Sequence, residues 1–76
     1  MVQEDQVLDA RGLNCPLPIL RTKKALGELT SGQVLKIVAT DPGAVKDFEA
    51  FSKQTKNPLL EHAEASGEFI FFIQKA

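Results

Sequence analysis

Few residues in this chain can do nucleophilic chemistry. Cys15 is the only cysteine and His62 the only histidine among 76 residues. Cys15 stands in the run Arg11-Gly12-Leu13-Asn14-Cys15-Pro16-Leu17-Pro18, where Gly and Asn signal a turn. Pro16 suits the first position of a helix, where a missing N–H costs nothing. The thiol therefore falls at or beside the helix N-cap, with Asn14 as the competing cap. Unpaired N–H groups and the positive end of the helix dipole gather there, and both favour the thiolate, which is the nucleophile. Between Arg11 and Gly27 lie four cations, Arg11, Arg21, Lys23 and Lys24, and no acid. Arg11, four residues ahead across the turn, adds to the stabilisation of a thiolate. Arg21, roughly 9 Å further along a helix axis, serves as a docking charge. Gly12 supplies backbone freedom in the turn, while Pro16 and Pro18 stiffen it and hold the sulfur in place. The plainer alternative is a cysteine packed as a small hydrophobe; its Gly/Asn/Pro-rich turn beside a cationic helix argues against that.

A single cysteine forms no internal disulfide and offers no resolving partner of the C-x-x-C kind, and one Cys with one His makes a poor metal site. His62 falls on an expected strand far along the chain and reads as a solvated residue rather than a catalytic base. A reactive thiol with neither resolving thiol nor base is suited to carriage: it takes a group from one protein and yields it to another, rather than acting as a stand-alone enzyme. No cofactor or metal is expected. The net charge of -1 argues against a general nucleic-acid binder, which would be basic. No apolar run reaches the length that spans a bilayer. The opening MVQEDQ lacks the character of a signal peptide, and a lone free thiol suits a reducing compartment. A cytoplasmic, monomeric protein of one domain, residues 1–76, is expected.

The elements that must position the thiol follow from periodicity and punctuation. Gln6–Ala10 reads as a strand. A helix runs from about Pro16 to Leu29, with Pro18 still inside its first turn. Thr30-Ser31-Gly32 breaks the chain before the β-branched strand Gln33–Ala39. Asp41-Pro42 opens a second helix, with Asp41 as N-cap, that continues to about Thr55 and carries Ala44, Val45, Phe48, Phe51 and Ser52 on one face. After Asn57-Pro58, Leu59–Ala65 and Glu68–Lys75 form a hairpin. The order β-α-β-α-β-β is too short to cover both faces of a sheet, so we expect an α/β (α+β) two-layer sandwich. Its four-stranded mixed sheet has two helices on one face and the other face open.

The segment Asp9-x-Arg11-Gly12-Leu13-Asn14-Cys15-Pro16-Leu17-Pro18 resembles the signature of the TusA/SirA-type sulfur carriers, with its Cys-Pro-x-Pro element at the first helix start. The resemblance covers essentially the whole chain, Asp41-Pro42 included. It implies a fold similar to the C-terminal domain of translation initiation factor three, and a persulfide carried on Cys15 with Arg11, Gly12, Pro16 and Pro18 as supporting positions. It also implies a sulfur donor protein, a cysteine desulfurase or a rhodanese, and a DsrE-type acceptor protein. Such relays feed either thiolation of tRNA uridine or cytoplasmic oxidation of stored sulfur. The enteric tRNA-thiolation members carry Glu between the two prolines; Leu17 stands there in this chain, which tilts the expectation toward sulfur oxidation.

On a helical wheel Ile19, Thr22, Ala25, Leu26 and Leu29 share the core face. Leu17 and Leu20 fall on the other side, beside Arg21 and Lys24 and close to Cys15. These four are the expected partner-docking patch, with burial of the two leucines as the alternative. In the last strand Phe69, Phe71 and Ile73 alternate with Ile70 and Phe72 across the two faces. An RNA-binding module lacks a basic excess and any Tyr or Trp to stack bases. A redox switch would use sulfenic acid or a mixed disulfide at Cys15 instead of sulfur transfer.

Overall fold

The computed structural model describes residues 3–14 and 16–76. Cys15, on which the sequence reading converges, lies outside the described residues. The elements are β1 (Gln6–Ala10), α1 (Leu17–Gly27), β2 (Val34–Ala39), α2 (Ala44–Thr55), β3 (Leu59–Ala65) and β4 (Glu68–Gln74). They form one sheet in the order β1-β2-β4-β3. β1 runs parallel to β2, and β4 is antiparallel to both β2 and β3, so the sheet is mixed.

Alternation along the strands divides the sheet into two faces. Leu35, Ile37 and Ala39 of β2 are fully buried and pair with Ile73, Phe71 and Phe69 of β4. On the β1 side Ile37 pairs with Leu8 and Ala39 with Ala10. A single core cluster joins this face to Ala25 and Leu26 of α1 and to Ala44, Phe48 and Phe51 of α2. Both helices therefore cover the same face, as the sequence suggests. Phe48 stacks on Phe71 with ring centroids 4.5 Å apart and meets Phe51 edge-on at 6.4 Å, geometries that add to the burial energy of the rings. The opposite face carries Ile70 and Phe72, both half-buried.

Several boundaries differ from the sequence reading for local reasons. The first helix begins at Leu17 with Pro16 as its N-cap, one position later than expected, and Pro18 occupies the second helical position. It closes at Gly27 rather than Leu29, because Glu28 and Leu29 donate to the carbonyls of Ala25 and Leu26, a tighter turn that ends the α geometry. Asp41 is not the N-cap of α2. Its carboxylate accepts the Gly43 N–H at 3.1 Å and its carbonyl accepts the Ala44 N–H at 3.0 Å, so it closes a turn ahead of the helix, and Gly43 takes the cap position. The β3–β4 hairpin turns on Ser66 and Gly67, with φ of 53° and 79°. Two successive positive φ values are the mark of the two-residue turn that matches strand twist.

Candidate functional site

The site is the passage from the end of β1 to the start of α1. Ala10, the last residue of β1, is fully buried. The chain then reverses through Arg11 and Gly12, where Gly12 has φ +80°, a conformation that L side chains rarely adopt. The Gly12 N–H donates to Thr40 Oγ1 at 2.9 Å, which ties the loop to the end of β2. The Leu13 N–H donates to the Ala10 carbonyl at 3.3 Å, and the Leu13 side chain packs against the core. Beyond Cys15, the Leu17 N–H donates to the Asn14 carbonyl at 2.8 Å and the Leu20 N–H to that of Pro16 at 3.1 Å. The backbone on both sides of the cysteine is thus fixed by short hydrogen bonds.

Cys15 immediately precedes the N-cap of α1 in the chain. Among the described residues no side chain caps that end, and its first turn contains no acidic residue. Pro16 and Pro18 contribute no N–H, and that of Leu17 is committed to Asn14. The electrostatic asset of the helix start is therefore its dipole together with the cations that follow, more than a cluster of free donors. Pro18 is buried and anchors the first turn against the body of the protein.

Arg11 is not the free cation that its proximity in sequence suggests. Its Nε donates to Asp9 Oδ1 at 2.9 Å and its Nη2 to Asp9 Oδ2 at 3.0 Å, the two-pronged match of guanidinium to carboxylate. Nη1 reaches Glu68 Oε2 at 3.5 Å, and the Arg11 N–H also donates to Asp9. The side-chain bond from Arg11, followed by the backbone one, lowers the Asp9 carboxyl from its ordinary 3.8 to about 2; the same carboxylate raises the guanidinium pKa. Arg11 thus works as a brace that joins the loop to β1 and β4. Asp9, Thr40 and Glu68 escaped the sequence reading as loop supports. Asp9 was detectable from its spacing to Arg11. Thr40 and Glu68 reach the loop only because β2 and β4 are neighbours in the sheet.

The expected docking residues divide by surface. Leu17 and Leu20 are 44% and 54% exposed, so they do not widen the buried stripe. Arg21 and Lys24 are exposed and line a groove of about 550 Å³ between α1 and β1. The core face of α1 is as expected: Thr22, Ala25 and Leu26 are buried, with Ile19 and Leu29 partly so. His62 is exposed on β3 and lies over Phe71, with ring centroids 6.2 Å apart. Its row of the sheet runs Leu8, Ile37, Phe71, His62, which sets it three strand spacings, roughly 14 Å, from β1. It is remote from the strand that leads into the cysteine loop. Among the described residues no helix is long and apolar enough to cross a membrane.

Residues 6–75 match the family model described as "Sulfurtransferase TusA". The chain is 62% identical over all 76 residues to the sulfur carrier protein TusA of Allochromatium vinosum, covering the whole of both chains. It is 51% identical over 74 residues to the putative sulfur carrier protein YrkI of Bacillus subtilis, covering 97% of this chain and 99% of that one. Among solved structures, the SirA-like protein of Desulfitobacterium hafniense superposes with a TM-score of 0.80 at 25% identity, covering 91% of this chain and 95% of that one.

Proposed function

We propose, for a chain that belongs to the TusA family of sulfur carrier proteins, that Cys15 is the atom of carriage and that sulfur rides on it as a persulfide. The observation that carries this reading is the position of the only thiol directly ahead of the N-cap of a helix whose first turn has no acidic residue. In the loading step the Cys15 thiolate attacks the outer sulfur of a donor protein's persulfide. A new S–S bond forms at Cys15, the donor's S–S bond breaks, and the donor leaves as a thiolate. Unloading repeats the exchange with an acceptor thiolate, which attacks the outer sulfur and releases Cys15 as thiolate. The sulfane sulfur keeps its oxidation level throughout, so the carrier needs no cofactor.

The donor is a rhodanese or cysteine desulfurase and the acceptor a DsrE-type protein, in a cytoplasmic relay that serves sulfur oxidation. Leu17 between the two prolines, where enteric tRNA-thiolation members carry Glu, supports that route over supply of sulfur for tRNA 2-thiouridine. Exposed Leu17 and Leu20 with Arg21 and Lys24, which follow Cys15 closely in the chain, form the docking patch. The apolar pair supplies affinity, and the cations steer encounter and set specificity. The test is intact mass after incubation with a rhodanese and thiosulfate, or with a desulfurase and cysteine. One sulfur is added to the wild type and none to Cys15→Ser. Equal loading of both proteins, or addition of oxygen in place of sulfur, overturns the reading.

A further inference from the structure

The strand order leaves β1 and β3 at the two edges of the sheet, and edges offer unpaired backbone groups to other chains. The two edges are built differently. β3 has exposed Glu61, His62 and Glu64 and a shift of register between Leu59 and Glu61, features that obstruct strand addition. β1 has a regular register with β2 from Gln6 to Ala10. Among the described residues nothing pairs with its outer side. The Asp5 N–H donates inward to the Val34 carbonyl at 2.8 Å. Val34 therefore faces β1, its N–H also donating to the Asp5 carboxylate at 2.8 Å. With Gln6 in register with Leu35, the groups of Gln6 and Leu8 turn inward to β2, while Val7 and Asp9 turn their N–H and C=O groups outward. That outer side is one wall of the 550 Å³ groove, and α1 is the other, lined there by Arg21, Lys24 and, at its end, Glu28.

We propose that β1 is a strand-docking edge, and that its occupant is an extended acidic segment of a partner protein, which adds to the sheet as a fifth strand in the groove beside α1. The charge and spacing both fit. Arg21 and Lys24 are one helical turn apart, about 5–6 Å between Cβ atoms. Alternate residues of an added strand repeat at about 6.6–6.8 Å on the side facing them. Two acids at i and i+2 thus meet two cations. Leu17, Leu20, Arg21 and Lys24 follow one another at helical spacing, so the groove continues the exposed surface of α1 that begins at Leu17. The inference shares Arg21 and Lys24 with the proposed docking patch, but it requires no sulfur chemistry.

The probe is an acetylated, amidated heptapeptide of alternating Val and Glu, titrated into the reduced, 15N-labelled protein, with a Val/Lys peptide as control. The amides of Val7 and Asp9 should shift and exchange severalfold more slowly with the Glu peptide only. Val7→Pro removes one outward N–H of an edge strand, where proline is tolerated, and should weaken binding by about fivefold, the worth of one net hydrogen bond. Val7→Ala should bind as wild type does. Arg21→Glu with Lys24→Glu should abolish binding. If Val7→Pro fails to fold, amide exchange in the wild type and the charge reversal decide. Equal binding of the Lys peptide, perturbation centred on β3, or no change at β1 overturns the proposal. Protection of the same β1 amides in the protein alone, with self-association abolished by Glu61→Lys and Glu64→Lys, would make a second copy the occupant and likewise overturn it. Cys15→Ser should bind the peptide as wild type does, so that a failure of the persulfide reading and a failure of this one are told apart.

Discussion

Leu20→Ser separates docking from packing, because the two roles predict different magnitudes in two measurements on one preparation. Leu20 is 54% exposed, so just under half of it is covered by the protein. Full burial of a leucine is worth about 1.5–3 kcal/mol, so losing the covered part costs about 1 kcal/mol. Serine is a weaker helix former than leucine by up to about 0.5 kcal/mol. Together these give about 1.5 kcal/mol, which lowers Tm by roughly 6–12 °C in a domain of this size. Leu26 is 2% exposed on the opposite flank of α1, and Leu26→Ser should lose about 3–5 kcal/mol and with it most of the fold. In a sulfur-transfer assay on folded protein, Leu20→Ser forfeits burial of the exposed half against the partner. That is about 1 kcal/mol, or roughly a fivefold fall in kcat/KM, and it should change little with salt. A Tm drop as large as that of Leu26→Ser, or an unaltered transfer rate, would refute the docking role.

Arg21→Glu should slow transfer severalfold at low ionic strength, and the deficit should shrink as salt rises, since exposed charges are screened over about 10 Å at 0.1 M; stopped-flow transfer across a salt series measures it. Thr22 is fully buried and its hydroxyl has no hydrogen-bond partner among the described residues. Thr22→Val should therefore raise stability by about 1 kcal/mol in chemical denaturation, because a buried unpaired hydroxyl is costly; a loss of stability would show that the hydroxyl is engaged. Asp9, held by Arg11, should titrate near pH 2 in the wild type and move toward 3.8 in Arg11→Gln, followed by NMR of its carboxyl carbon. Its folded-state pKa is depressed, so the stabilisation it gives is complete above about pH 3.8 and is lost as pH falls through about 2.

The parts of this molecule that sequence reveals are those set by local periodicity. Phe69, Phe71 and Ile73 alternate with Ile70 and Phe72, and that alternation alone identifies the two faces of β4. The 3.6-residue period likewise sorts Thr22, Ala25 and Leu26 from Leu17 and Leu20, and the observed burial follows it. Helix starts are less legible. Asp41 and Pro42 form a strong start signal, yet the carboxylate bonds Gly43 and the helix opens at Ala44; a turn and a first helical turn compete for the same residues. The turn into α1 was legible at Gly12 and Pro18, whose types answer to local backbone geometry. The pairing of Arg11 with Asp9 was open to sequence through their spacing, whereas its contact with Glu68, 57 residues away, is delivered by sheet order. The groove between β1 and α1 also depends on that order, since it exists only where β1 forms an edge.

Carriage on Cys15 is tested most directly with a chemical acceptor, which removes any dependence on the identity of the natural one. The protein is loaded with sulfane sulfur, freed of donor, weighed by intact mass and treated with cyanide, which takes the outer sulfur of a persulfide and leaves the thiolate. The account predicts one added sulfur per chain before treatment. Afterwards one thiocyanate should be released per chain, the mass should return to that of the thiol, and neither event should occur in Cys15→Ser. A loaded mass that cyanide leaves unchanged, or thiocyanate released equally from Cys15→Ser, would contradict it.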